Sequence, residues 1–402
     1  MNKALLALAF AFGCTTTNPE PKSTQLVVTI ASPSSLGDVN NRIDGSGSGN
    51  PVTISVEAYD ENNCLENGSA CAADGGPAPD YTTSLGVFTH YLGTLTPYLT
   101  GSPLTTINIT HGQAMNQSFM LPPVYGPTTI WLDDDDSTDP EFVAGTSPTI
   151  WFRDPFTADL QRPTNPASIT ALDVGPVDNK NITVNGSQFG SNGRLVVTSI
   201  FSQGYTVADV QCQDAAGTPP CAATPYGFMD VFSYSAPQDM RDRYIVEGEV
   251  IDGYAGGVSE FDGLTELGFP QSFVNEDTPD VNPAREPPAP VFDPSWFSNP
   301  IMFEQNESGM IEVDNTVVCP LDDDYTTYNE WKLDPSGEGT AAVCGNDDDV
   351  IIVVTAGTVD IDPGMLVGKT ITRIVGNLRP INIGSFNAWI IYPRSMADIT
   401  TQ

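Results

Sequence analysis

The amino-acid sequence predicts an almost wholly β protein built from more than one module. Three observations lead there. Apolar residues alternate with polar ones in short runs rich in Val, Ile, Thr and aromatics, and no long run carries the 3.6-residue period of a helix. Gly, Asn, Asp and Pro close these runs, and 36 Gly and 34 Pro supply turn chemistry throughout. The length of 402 residues implies roughly two to three domains.

The first fourteen residues stand apart from the fold. Lys3 gives a positive start, and Ala4 to Phe12 is an apolar stretch of secretory-signal length, too short to cross a bilayer as a helix. The stretch ends in Ala11-Phe12-Gly13-Cys14, which resembles a bacterial lipobox. The resemblance implies that Cys14 is acylated and becomes the first residue of the mature chain, so that the membrane is a partner through the N-terminal lipid. Ala11 and Phe12 depart from the usual Leu and small residue, and the alternative is a plain secretory signal with an incidental Cys. Thr15 follows where Asp would redirect sorting, which implies the outer membrane. Residues 15–25 are polar, contain Pro and read as a tether.

Residues 26–162 form the first module. LVVTIASP, VTISVEAYD, INITHGQ, QSFMLP and TTIWLDDD are regularly spaced strands, as in a sandwich. Ile130–Asp134 and Gly145–Phe152 resemble the closing strands of bacterial Ig-like modules, which implies an Ig-like β-sandwich. Trp131 and Trp151 read as core residues rather than exposed binding aromatics. Asp133–Asp136 with Asp139 and Glu141 lack the D-x-D-x-D-G register and read as an acidic loop rather than a Ca²⁺ site. Arg153 to Pro166 reads as a linker.

The second module, residues 167–273, holds Leu195–Val197, Gly204–Asp209, Gly227–Phe232 and Val246–Leu267. These segments, with Gly248, Glu260, Gly263, Thr265 and Leu267, resemble an OB-fold module that accompanies secreted nucleases and surface lipoproteins of bacteria. Residues 275–302 are rich in Pro and acids and read as an extended connector, pinned to a neighbour by Phe292, Trp296 and Phe297. Residues 303–402 read as a diverged second copy. Glu307–Val318, Tyr328–Leu333, Val350–Gly357, Val367–Leu378 and Asn387–Ile399 resemble the successive strands and the Pro-Arg-Ser ending of the same module. The expected architecture is therefore an Ig-like β-sandwich followed by two OB-like β-barrels.

Beyond Cys14, six cysteines fall into local pairs: Cys64 with Cys71, Cys212 with Cys221, and Cys319 with Cys344. An even count in local pairs fits disulfides in an oxidising compartment, although spacing alone does not prove connectivity. No C-x2-C spacing and no neighbouring His supports a metal centre, the two histidines being His90 and His111. If Cys319 and Cys344 pair, two acidic triplets approach each other: Asp322, Asp323 and Asp324 with Asp347, Asp348 and Asp349. Hard carboxylate oxygens suit Ca²⁺, and this is the one cofactor candidate, set against a plain solvated loop.

Charge and motifs narrow the function. With 51 acidic and 15 basic residues the formal charge is -36. Such a chain repels polyanions and cannot replace phosphate counterions, which argues against nucleic acid as a partner. Tyr205, Phe228 and Phe232 are the aromatics that an OB face would stack on bases, yet from Glu304 onward only Lys332, Lys369, Arg373, Arg379 and Arg394 oppose the acids. Arg394, in the family-like ending, reads as a structural ion-pair residue. The nuclease relatives keep their chemistry in a separate catalytic domain, and no such segment occurs here. There is no phosphate-binding glycine loop, no nucleophile elbow and no triad-like grouping. These observations imply a non-catalytic, membrane-anchored surface lipoprotein that binds a protein, glycan or surface-layer partner. The alternatives are an accessory subunit or hydrolase acting on an extracellular polymer, and a Ca²⁺-dependent adhesin.

Overall fold

The computed structural model describes residues 24–45, 49–59, 82–91, 103–133, 142–143, 145–163, 181–336, 344, 350–356, 359–383 and 386–401. The lipobox with Cys14, residues 15–23 of the tether, Cys64, Cys71, and Asp347, Asp348 and Asp349 lie outside the described residues, while Thr24 and Gln25, expected to end the tether, already belong to the first strand. The fold is all-β, in three successive modules.

The first module pairs two sheets. Strands β1 (Thr24–Ser32), β2 (Asn50–Tyr59), β5 (Gln113–Leu121) and β7 (Phe142–Val143) form one, in the order β5-β2-β1-β7. Strands β3 (Thr83–Tyr91), β4 (Thr105–Ile109), β6 (Pro127–Asp133) and β8 (Gly145–Thr146) form the other, in the order β4-β3-β6-β8, and β9 (Ile150–Trp151) also pairs with β6. Alternate residues point inward from both sheets. Val52, Ile54 and Val56 face Leu85, Val87, Ile130 and Leu132, all buried. This is the expected Ig-like sandwich. Trp131 and Trp151 are corrected: both are half-buried, because their neighbours Ile130, Leu132, Ile150 and Phe152 take the inward positions. Arg42 lies 5.7 Å from the Trp151 ring centre.

Barrel 1 contains β10 (Asn181–Asn185), β11 (Gly193–Phe201), β12 (Gly204–Gln211), β13 (Ala222–Phe232), β14 (Val250–Ile251), β15 (Gly253–Phe261) and β16 (Leu264–Phe273). β10 and β11 act as one bent first strand, interrupted by a 3-10 turn at Gly186–Phe189, and run antiparallel to β15 and β14 respectively. β12 follows β11, β13 follows β12, and β13 pairs in parallel with β16. β16 returns against β15 and closes the ring. First-second-third-fifth-fourth-first is the five-stranded Greek-key order of an OB barrel. Tyr205, Val207, Met229, Val231 and Tyr254 fill it.

Barrel 2 repeats that order. Its strands are β17 (Met310–Val318), β18 (Glu330–Asp334), β19 (Ile351–Val354), β20 (Thr370–Ile383) and β21 (Phe386–Tyr392), with β22 (Ile399–Thr401) added to β20. β19 and β21 are the parallel pair, and β17 against β20 closes the ring. The two modules thus share one strand connectivity.

Each barrel is plugged from upstream. Arg153 to Pro166 is not an idle linker: α1 (Thr157–Gln161) lies within it, with Thr157, Leu160 and Gln161 buried. The Thr157 and Tyr254 hydroxyls are 3.1 Å apart, and the Gln161 amide points at Met229 Sδ. The acidic connector does the same for barrel 2. It is not wholly extended, since short 3-10 turns form at Pro283–Arg285 and Pro294–Ser298, each started by an Asn or Asp cap before Pro. Phe292 and Trp296 then enter the core of barrel 2 with Phe303 of α2 (Ile301–Glu304), and Phe297 packs against it. Phe303 stacks on Trp389 at 5.1 Å. The expected pinning by these aromatics is thus the filling of a barrel end.

Two of the three expected disulfides fall on described residues, and both form: Cys212–Cys221 and Cys319–Cys344.

Candidate functional site

An OB barrel usually binds its ligand on the outer face of its second and third strands. In barrel 1 that face belongs to β12 and β13, where Thr206 pairs with Asp230 and Ala208 with Phe228. All four are buried: Ala208 and Phe228 pack with Val196, Val210 and the Cys212–Cys221 disulfide of barrel 1 itself, and barrel 2 and its lead-in reach Phe228 and Asp230. The Tyr226 N–H donates to the Gln305 carbonyl at 2.9 Å. A Cβ on Gly309 would stand 2.9 Å from the Phe228 ring, so only glycine fits that approach. Arg379 of β20 reaches Asp230 at 2.8 Å while its guanidinium lies over Phe201 at 4.4 Å and Tyr392 at 5.3 Å.

Hydrogen bonds and ion pairs also cross this joint. The Thr265 N–H donates to Glu307 at 2.9 Å, and the Thr265 hydroxyl donates to Glu260 at 2.9 Å. Arg394 donates to the Thr198 carbonyl and to Glu286, and pairs with its neighbour Asp398. It is therefore the ion-pair residue the sequence suggests, and it also ties barrel 2 to barrel 1. Burial pushes the Glu307 carboxyl well above its ordinary range, and the nearby Glu304 charge adds to the rise. Burial raises Asp230 as well, against the pull of Arg379.

The sequence-named aromatics are accordingly redistributed. Tyr205 is a core residue whose hydroxyl bonds Ser272 at 2.7 Å, and Phe228 is sealed in the joint. Neither is available to stack a base. Phe232 is half-buried and begins an aromatic row: its ring centre is 4.5 Å from Tyr234, which is 5.0 Å from Phe269. Tyr234 is 55% exposed and Phe269 78%. Both hold left-handed backbone, at φ 58° and 51°, which is strained for an aromatic residue.

The cause at Phe269 is a β-bulge. Gly257 pairs with Gly268 and Ala255 with Gln271, so Phe269 and Pro270 together oppose the single Gly256. A Cβ on Gly256 would strike the Gly268 carbonyl at 2.6 Å and the Leu267 side chain, so glycine is required there. The bulge throws the Phe269 ring outward.

A cleft of about 410 Å³ opens beside that ring. Register explains its shape. Asn181 pairs with Gly257 and Thr183 with Ala255 on one side, and Gln271 pairs with Ala255 on the other. Along the cleft the middle strand thus presents only small residues, Ala255, Gly256 and Gly257, between polar residues on both flanks. The result is a trough, closed at the sandwich end by Tyr125 and Asp154. Asp154 is held by Arg42 at 2.7 Å. Among the described lining residues Asp154 is the one carboxylate.

The acidic-triplet reading meets a different chemistry. Asp322 caps α3 (Asp323–Tyr328) by accepting from the Asp324 and Tyr325 N–H groups. Lys332 pairs with Asp322 at 2.7 Å and Asp324 at 3.0 Å. Partial burial opposes ionisation of Asp322, but Lys332 and the backbone donors hold its carboxyl below the ordinary value. The Asp322 and Asp324 carboxylates are engaged by an ammonium and, for Asp322, a helix start, while Asp347, Asp348 and Asp349, the other half of the candidate, lie outside the described residues. Among the described residues no three His, Cys, Asp or Glu side chains converge on a metal position. Of the histidines, His111 lies in the β4–β5 turn with its N–H donating to the Thr82 hydroxyl, and the His90 side chain lies outside the described set.

One further carboxyl escaped the sequence reading. Asp209 follows Tyr205 and Val207 on the inward side of β12 and is 6% exposed at the plugged end of barrel 1. Burial, with a contribution from Asp159, pushes its carboxyl up to about 7.

No protein-family model, curated protein or solved structure matches this chain.

Proposed function

We propose that the protein is an exported, lipid-anchored, non-catalytic binding protein of the cell envelope. The observation that carries this reading is the exposed aromatic row beside a polar trough with one salt-bridged carboxylate. Such a surface can hold a partner, and among its described lining residues Asp154 is the one carboxylate, held by Arg42. The outer β12–β13 face of barrel 1 serves the joint with barrel 2, which makes the two barrels a scaffold that presents the trough. Residues 1–25 support the anchor, through Gly13-Cys14 and the polar tether, and the disulfides agree with an oxidising compartment.

The test is Cys14→Ser in the producing cell, followed by fractionation. The wild type is expected in the membrane fraction and the variant in the soluble envelope fraction or the medium. A variant that stays with the membrane overturns the anchor.

A further inference from the structure

We infer that the trough of barrel 1 is a binding site for an uncharged glycan chain, with Phe269 and Tyr234 as its stacking platform. The inference rests on the reading of a binding protein and names the ligand class of that same surface. Three independent features converge on it.

The first is the platform. Two neighbouring aromatic rings stand largely in solvent and are held there by strained backbone, although burial would favour both. An aromatic face pairs well with an apolar, rigid, flat partner. The C–H face of a sugar ring is such a partner.

The second is the polar complement. The Asn181 and Gln271 amides and the Thr183 hydroxyl flank the floor, and none of them hydrogen-bonds to another described residue. Amides donate and accept at once, which matches hydroxyl-rich ligands. The floor of Ala255 and Gly257 leaves the space between the flanks unfilled. Two strand intervals separate β10 from β16, roughly 9.5 Å, which admits a single extended chain.

The third is charge. At a formal charge of -36 the surface repels polyanions, and among the described lining residues there is no Lys or Arg, the nearby Arg42 being paired with Asp154. An acidic polysaccharide or a nucleic acid is disfavoured, and a neutral glycan is not.

The full chain carrying Cys14→Ser, kept soluble, is run by affinity electrophoresis through gels containing a neutral β-glucan, a neutral α-glucan, chitin oligosaccharides or alginate. Retardation by at least one neutral glycan and none by alginate is expected. In the same gels Phe269→Ala and Tyr234→Ala should each weaken the affinity about tenfold. Phe269→Trp should retain it, and Ala255→Trp, which fills the trough, should abolish it with an unchanged circular dichroism spectrum. Unaltered mobility in every neutral gel overturns the inference, and that is the result a protein-binding platform would give. Retardation that survives both Phe269→Ala and Ala255→Trp overturns it too. The outcomes separate cleanly from the anchor reading: a membrane-bound protein that ignores every glycan loses only this inference, and a glycan binder that never reaches the membrane loses only the anchor.

Discussion

Replacing Asp209 by Asn should make barrel 1 more stable at pH 8 and leave it nearly unchanged at pH 5. The carboxyl is inward-facing, 6% exposed and without a hydrogen-bond partner among the described residues. Its value rises from 3.8 to about 7, chiefly by burial. At 1.36 kcal/mol per tenfold change in proton affinity, that rise corresponds to about 4 kcal/mol. The sign follows from proton counts. Between about pH 4 and pH 7 the folded state holds a proton that the unfolded state has released, so stability falls as pH rises through that window. Above it the full cost is present. Asn carries no charge at any pH and removes this term, but its own unpaired amide costs about 1–3 kcal/mol. The net expectation is a gain of roughly 1–3 kcal/mol at pH 8 and a small loss at pH 5. Tryptophan fluorescence is blind here, because Trp131, Trp151, Trp296, Trp331 and Trp389 all lie outside barrel 1. Amide hydrogen exchange in β12 and β13, corrected for intrinsic rates, reports the opening free energy of the right unit. If protection in wild type and variant shifts in parallel between pH 5 and pH 8, Asp209 does not titrate as argued and the reasoning fails.

Two other perturbations address the joint and the covalent links. Arg379→Ala leaves Asp230, 1% exposed, without its cation, and should weaken barrel docking by about 3–5 kcal/mol. Faster amide exchange in β13 and β20 and a larger radius in X-ray scattering are the expected readouts, with Asp230→Asn restoring part of the loss; unchanged exchange in both strands would contradict the assignment. Replacing Cys212 and Cys221 together by Ala opens a loop of sequence separation 9 and should cost barrel 1 about 2–3 kcal/mol. Protection of β12 that is identical with and without the disulfide would show that the loop is already ordered without it.

Much of the strand pattern was legible because it is local. Alternation marks a residue's side of a strand, and turn residues mark its ends, so Leu195–Val197, Gly204–Asp209 and Gly227–Phe232 fall on β11, β12 and β13. The aromatics of the connector were legible as anchors, since a Trp or Phe amid Pro and acids has little other use. Other residues misled for a physical reason. Asp209 closes a motif like a turn residue, yet strand parity turns it inward. That Lys332, on the adjoining β18, pairs with Asp322 and Asp324 was likewise invisible in the sequence, because it depends on strand placement. Phe228 reads as a stacking aromatic, and Gly309, distant in sequence, covers it.

By itself the amino-acid order determined the β class and much of the strand pattern, because each depends on composition or on neighbours a few residues apart. Only the tertiary structure decided which surface is free. Phe269 is exposed because two residues face one across β15, and the outer face of β12 and β13 is covered at Phe228 and Asp230 because a second barrel and its lead-in reach them. Both depend on register and on long-range contact, and neither leaves a mark in any short stretch of chain.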